Sequence, residues 1–293
     1  MTHFRLFDML SEIPRPHDMD AVRAGLSNWR TAVAELATDT WSQKRLADVA
    51  ESIEREPVSK ALLEAIFGNS FFLSQCVNCD PEFFCDLVMD GADDSANALL
   101  RDIADKDKYS LNDKRLMEAM RVAKRRMALT IAVADLGNVW DLNKTTRKLS
   151  ETAEATLSMA TAYLIHESAK MGALDLANRE HPENGSGLIV IGMGKLGAFE
   201  LNYSSDIDLV ILYDADRIST TKPDKLQNHM VRLARGLVRF MDERTADGYV
   251  FRTDLRLRPD PGATPLALSV NAAETYYESL GQNWERAAMI KAL

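Results

Sequence analysis

The sequence predicts an α+β protein in two parts: an N-terminal all-helical domain over residues 1–177 and a second domain, over residues 188–293, organised around strands. Three observations carry this. Up to about residue 177 glycine is scarce, Ala, Leu, Met, Glu and Arg are abundant, and apolar side chains recur at helical spacing. Residues 178–187, NREHPENGSG, are turn formers and read as a linker. Beyond them the periodicity becomes that of strands, LIVI before a glycine-rich turn and then DIDLVILY.

Taken in order, residues 19–37 and 41–52 read as amphipathic helices. Pro57-Val58-Ser59 restarts a helix with Ser59 as the N-cap for residues 60–67, and Gly68-Asn69-Ser70 ends it. Pro81 suits the first turn of the next helix. Residues 111–139 form the longest helical run, with Leu116, Met120, Val122, Ala123, Met127, Ile131 and Ala134 along one face. Beside that face lies a basic cluster, Arg121, Lys124, Arg125 and Arg126, which reads as solvated surface or as a contact for phosphate or an acidic partner. Residues 151–171 follow as a helix capped by Ser150.

In the second domain, strand 188–191 leads through the glycine turn and a polar turn, Asn202-Tyr203-Ser204-Ser205, into a strand carrying Asp206 and Asp208. Residues 214–223 form a loop, and 225–244 a helix with Met230, Leu233, Ala234, Leu237 and Met241 inward. Asp247-Gly248 then turns the chain into a third strand, 249–257. Proline and glycine over 259–265 stop that strand, and Ser269 caps a final helix running past Tyr276 and Trp284.

Composition bounds the function. A chain of 293 residues with 46% hydrophobic and 27% charged residues is an ordinary globular protein, long enough for two domains. A formal charge of −9 argues against broad nucleic-acid affinity. Cys76, Cys79 and Cys85 complete neither a disulfide framework nor a zinc site and read as reduced thiols. No apolar run reaches the roughly 18 residues of a membrane span and no signal pattern opens the chain, so no membrane partner and a cytoplasmic location are expected.

The chemistry concentrates in residues 188–213. Side chains two apart on a strand share a face, so Asp206 and Asp208 point one way and Ile207, Leu209 and Ile211 the other. Like charges that close are costly unless a cation lies between them, and oxygen ligands suit Mg²⁺ or Mn²⁺. Alternation over the third strand puts Arg252, Asp254, Arg256 and Arg258 together, which suits a metal site facing polyphosphate or, equally, an exposed salt-bridge ladder. Gly192, Gly194 and Gly197 also spell the dinucleotide fingerprint, with Asp214 or Asp216 at ribose distance. Against that reading, the helix available before Ser204 is short for a parallel crossover, and Asp208 would be buried without a partner. A Walker A loop fits worse because Leu196, not Ser or Thr, follows Lys195.

Gly192-Met193, followed after 12 residues by Asp206-Ile207-Asp208, resembles the glycine turn and paired acids of polymerase-beta-like nucleotidyltransferases, with Met193 where Ser or Gly is usual. The longer string GMGKLGAFELNYSSDIDLVILY resembles the glutamine synthetase adenylyltransferase/adenylyl-removing family. IFGNSFFLSQCVNCDPEF, RRMALTIAVADLGNVWDL, VFRTDLRLRPDPGATPLALS and NWERAAMIKA resemble it in the same order, so the likeness runs from about residue 64 to the end.

The resemblance implies a polymerase-beta-like nucleotidyltransferase domain with a mixed sheet. In that family one half attaches AMP from ATP to a tyrosine of glutamine synthetase, and the other removes it with phosphate to give ADP. The position of the motif after a helical region resembles the N-terminal, removing half. Asp206, Asp208 and Asp254 are then expected to hold Mg²⁺ or Mn²⁺, and Gly192, Gly194 and Lys195 to cradle nucleotide or phosphate. Ser204 or Ser205 would donate a hydrogen bond to it, and Arg252 and Arg256 would anchor phosphate. Glutamine synthetase, a PII-type signalling protein, ATP, ADP, AMP and phosphate are the implied partners. Adenylylation from ATP, a catalytically silent docking module and a NAD-linked oxidoreductase stand as alternatives. The chain stops at Lys291-Ala292-Leu293 where the family continues, so a fragment is expected.

Overall fold

Apolar spacing becomes helices almost throughout the first part of the chain. The computed structural model describes residues 5–6, 8–36, 41–176, 178–220 and 222–293. Its helices are α1 (Met19–Leu36), α2 (Trp41–Arg55), α3 (Pro57–Asn69), α4 (Phe71–Cys79), α5 (Pro81–Asp90), α6 (Ala92–Ile103), α7 (Asp113–Leu136) and α8 (Leu142–Lys170). Then follow β1 (Leu188–Gly192), α9 (Gly194–Gly197), β2 (Ile207–Tyr213), α10 (Leu226–Asp242), β3 (Thr253–Asp254), β4 (Ala267–Ser269), α11 (Val270–Ser279) and α12 (Asn283–Ala288). Ala37 and Ala177, the expected ends of the first helix and of the helical domain, lie outside the described residues.

The chain divides into two compact units, Met1–Leu99 with Arg125–Thr145, and Leu100–Lys124 with Thr146–Leu293. In the first, Trp29 of α1 is buried edge-on to Phe84 of α5 at 5.7 Å, with Leu62, Leu63 and Ile66 of α3 in the same core. Gly25 lets α1 approach α3: a Cβ there would meet the Phe67 ring at 2.3 Å. The expected cap Ser59 is inside the first turn of α3; Glu56 is the N-cap, accepting from the Ser59 amide, and Pro57 opens the helix. Pro81 opens α5 behind the N-cap Asp80, as its sequence predicts.

The second unit does not follow the change in periodicity at residues 178–187. Residues 146–170 of α8 group with the sheet because Ala160, Tyr163 and their neighbours are core, Tyr163 packing on Phe240 of α10 at 5.5 Å. Ser150 is not the cap of a new helix. It lies within α8, donating to Thr146 O at 2.9 Å and accepting from Leu201 N at 3.1 Å.

β2 is the centre of a four-stranded mixed sheet. β1 runs antiparallel to it, from Leu188 opposite Tyr213 to Gly192 opposite Leu209. β4 runs parallel along Ile211 to Tyr213 on the other edge, and β3 pairs parallel at Ile207 and Asp208. The inward face expected for α10 is buried, Met230, Leu233, Ala234, Leu237 and Met241 all being core. Antiparallel β1 and β2 overturn the dinucleotide reading, which needs two parallel strands joined by a helical crossover. The chain is therefore α+β with a mixed sheet. Among the described residues no helix is long and apolar enough to cross a membrane.

Candidate active site

The glycine turn sits where it does because its backbone is pinned to β2. Met193 buries its side chain, at 1% exposure, and its N–H donates to Asp208 O at 2.9 Å. The residue that departs from the usual Ser or Gly thus serves the core, and its amide serves the strand. Gly194 has φ +57°, and a Cβ there would stand 3.5 Å from Asp208 Oδ2, so the turn lies against that carboxylate. Gly197 meets the end of the chain: a Cβ would fall 2.1 Å from Lys291 O.

The polar turn delivers the acids. Ser204 adopts φ +58°, a left-handed conformation that non-glycine residues take up at a cost and that recurs at functional sites. Asp206 stands immediately before β2 and is exposed, whereas Asp208, in the strand, is half-buried. Ile207 N donates to Arg252 O at 2.9 Å, which sets β3 in register so that Asp208 lies directly opposite Asp254. Two carboxylates from neighbouring strands are thereby brought together, and Asp206, just before β2, is near enough for its charge to act on Asp208.

The third strand is shorter than alternation suggests. β3 ends at Asp254 and the chain turns at once, so Arg252, Asp254, Arg256 and Arg258 do not form one strand face. Arg252 Nη2 donates to Ser204 O. Arg258 holds the following loop through Leu255 O and Pro261 O, both at 2.8 Å. Arg256 folds back on Asp254: its Nε lies 2.7 Å from Oδ2 and 3.1 Å from Oδ1, and its backbone N–H donates to Oδ1 at 2.8 Å.

Electrostatics follow the geometry. Burial, then the charges of Asp254 and Asp206, push the Asp208 carboxyl above the usual carboxylate range. The Arg256 side-chain hydrogen bonds hold Asp254 below it. Oxygen donors that repel one another in this way fit a hard divalent cation such as Mg²⁺ or Mn²⁺. Among the described residues, however, no three His, Cys, Asp or Glu side chains stand together as a finished cage. Asp254 is engaged by Arg256 instead.

The phosphate candidates divide. Lys195 Nζ reaches Asn202 Oδ1 at 3.3 Å and Ser205 Oγ donates to the same oxygen, so Asn202 ties the glycine turn to the polar turn. Asn202 was visible in the sequence only as a turn former. Gly192 turns its N–H and C=O to Leu293, at 2.9 and 3.0 Å, and its amide does not face the acids' turn as a free donor.

The family described as glutamate-ammonia ligase adenylyltransferase matches residues 60–293. The chain belongs to that family. A bifunctional glutamine synthetase adenylyltransferase/adenylyl-removing enzyme of Rhizobium meliloti (strain 1021) is 42% identical over 282 residues, 94% of this chain and 28% of its own length. Its counterpart in Bartonella henselae is 40% identical over 268 residues, 91% of this chain and 27% of its own. That of Agrobacterium fabrum (strain C58) is 54% identical over 180 residues, 61% of this chain and 18% of its own. The chain thus spans less than a third of the length of these relatives.

Proposed function

We propose that this chain removes AMP from the adenylylated tyrosine of glutamine synthetase by phosphorolysis, releasing ADP, as a cytoplasmic step in nitrogen regulation. The observation that carries the reading is the placement of Asp208 opposite Asp254 with Asp206 two residues away, beside a glycine turn, in a family whose relatives bear that activity in their names. The site chemistry serves attachment and removal alike. The sequence's resemblance to the removing half of the family favours removal.

The reaction is an in-line displacement at the AMP phosphorus. A phosphate oxygen forms the new P–O bond, the bond to the tyrosyl oxygen breaks, and that oxygen takes up a proton. No covalent nucleophile from the protein is needed. Asp206, Asp208 and Asp254 would hold Mg²⁺ or Mn²⁺, which when bound supplies charge neutralisation for the phosphorus-bound oxygens. Lys195, on the glycine turn with Gly192 and Gly194, contributes a positive charge toward the nucleotide or the entering phosphate. Ser204 supplies a hydroxyl donor from the adjoining turn, or Ser205 does once its Oγ leaves Asn202 Oδ1, and Arg252 and Arg256 supply guanidinium forks for phosphate oxygens. A PII-type protein is the proposed regulatory partner.

The test is phosphate-dependent ADP release from adenylylated glutamine synthetase by the chain and by its Asp206→Asn/Asp208→Asn variant. We expect the variant to lose at least about 100-fold in turnover. A folded variant with undiminished turnover refutes the assignment. Label passing from ATP into unmodified glutamine synthetase would instead assign the attaching direction.

A further inference from the structure

Arg256 stands two residues beyond Asp254, on the turn that ends β3, and both oxygens of the Asp254 carboxylate accept from it. The two partners differ in environment: the Arg256 side chain is 84% exposed and the Asp254 side chain 13%. The guanidinium therefore covers the carboxylate from the solvent side. Asp206 and Asp208 add their charge to the field that holds it there. A fork on an exposed turn can leave without disturbing a packed core, and its planar donors match phosphate oxygens as well as carboxylate oxygens. What it cannot do is serve both at once.

We infer that Arg256 is an internal counter-ion of the carboxylate site, occupying Asp254 until a phosphate-bearing ligand draws the guanidinium away and frees Asp254 for a divalent cation. This deepens the proposed function and rests on reading Asp206, Asp208 and Asp254 as cation ligands. It accounts for the absence of a finished three-carboxylate cage among the described residues. It also makes cation and phosphate binding mutually reinforcing, because each removes a competitor of the other, and such coupling is reciprocal.

The experiment is a Mn²⁺ titration, read by calorimetry and by the electron paramagnetic resonance of free Mn²⁺, on the full chain and on Arg256→Lys, Arg256→Gln and Asp208→Asn variants. Each is titrated alone and with AMP plus inorganic phosphate. We expect AMP and phosphate to tighten Mn²⁺ binding to the unaltered chain about tenfold, within the usual range of coupling between two sites. Arg256→Gln and Arg256→Lys should bind Mn²⁺ about that much tighter without any phosphate ligand, and gain little when it is added. The lysine variant is decisive, since it keeps the charge and loses the fork. If only the glutamine variant binds more tightly, a nearby positive charge of any kind explains the effect and occupation of Asp254 by the guanidinium fork is overturned. If Asp208→Asn abolishes binding while both Arg256 variants behave as the unaltered chain does, the counter-ion role alone fails. If Asp208→Asn changes nothing, the cation reading fails and this inference with it.

Discussion

Arg121 shows what a single residue can hide. It is fully buried, and its guanidinium donates to Gly248 O at 3.0 Å, Met117 O at 2.9 Å, Phe240 O at 3.3 Å and Glu243 O. Two of these carbonyls belong to the last turn of α10 and its cap, where backbone acceptors lack helical partners. The sequence groups Arg121 with Lys124, Arg125 and Arg126, and nothing in the local pattern separates it from them. Its acceptors lie more than 100 positions away, apart from Met117, and only the fold brings them together. Arg121→Met should therefore destabilise the protein by about 3 kcal/mol, measured by urea unfolding, because it strands buried acceptors.

Asp208 makes the opposite prediction. Its carboxyl is raised in the fold, first by burial and then by Asp254 and Asp206, so its ionised form opposes folding at neutral pH and is relieved as pH falls through the raised value. Asp254 is lowered by Arg256; its contribution is present above the ordinary carboxylate pKa and lost as pH falls through the lowered value. Asp208→Asn should stabilise the cation-free protein by about 0.5 kcal/mol at pH 7, the scale of a like-charge cross-strand pair. The gain should shrink toward zero below the ordinary carboxylate range, as thermal melts across pH would show.

At the scale of elements, long periodic stretches were legible and short ones were not. α1, α7 and α10 follow their apolar spacing, and Ser269 caps α11 by accepting from Ala272 N at 3.3 Å, although that helix ends at Ser279 and a separate α12 carries Trp284. Ser59 and Ser150 resemble caps because serine prefers helix ends, yet each is inside a helix, where its hydroxyl answers a neighbouring backbone or side-chain group. The alternation Arg252 to Arg258 imitates a strand, but β3 pairs for two residues before turning. β4, three residues long, has too little pattern to show. The antiparallel return from β1 to β2, by contrast, was foreshadowed by the brevity of α9, a single turn. The first residue of that turn, Gly194, lies against the Asp208 carboxylate.

Across the whole molecule, the acids were readable as chemistry before they were readable as geometry. The two-residue spacing of Asp206 and Asp208 is legible in the sequence, whereas the arrival of Asp254 depends on the bond from Ile207 N to Arg252 O, across 45 positions. Arg256 reads in the sequence either as a phosphate ligand or as a rung of a salt-bridge ladder with Asp254; the pairing with Asp254 is present, but it is made by a turn that begins where a strand was expected. The units differ from the expected domains for a related reason: residues 100–124 and 146–170, helical in pattern, are compact with the sheet and α10. Helical periodicity identifies which face of an element is buried and says nothing of what it is buried against.

The most direct measurement of the central claim is a crystal structure of the chain grown with Mn²⁺, AMP and phosphate, with the metal located by its anomalous scattering. The account predicts Mn²⁺ density within about 2.2 Å of carboxylate oxygens of Asp206, Asp208 and Asp254, with Arg256 turned from Asp254 to phosphate. Density bound elsewhere, or Asp254 still held by Arg256 beside an occupied Asp206 and Asp208, would contradict it.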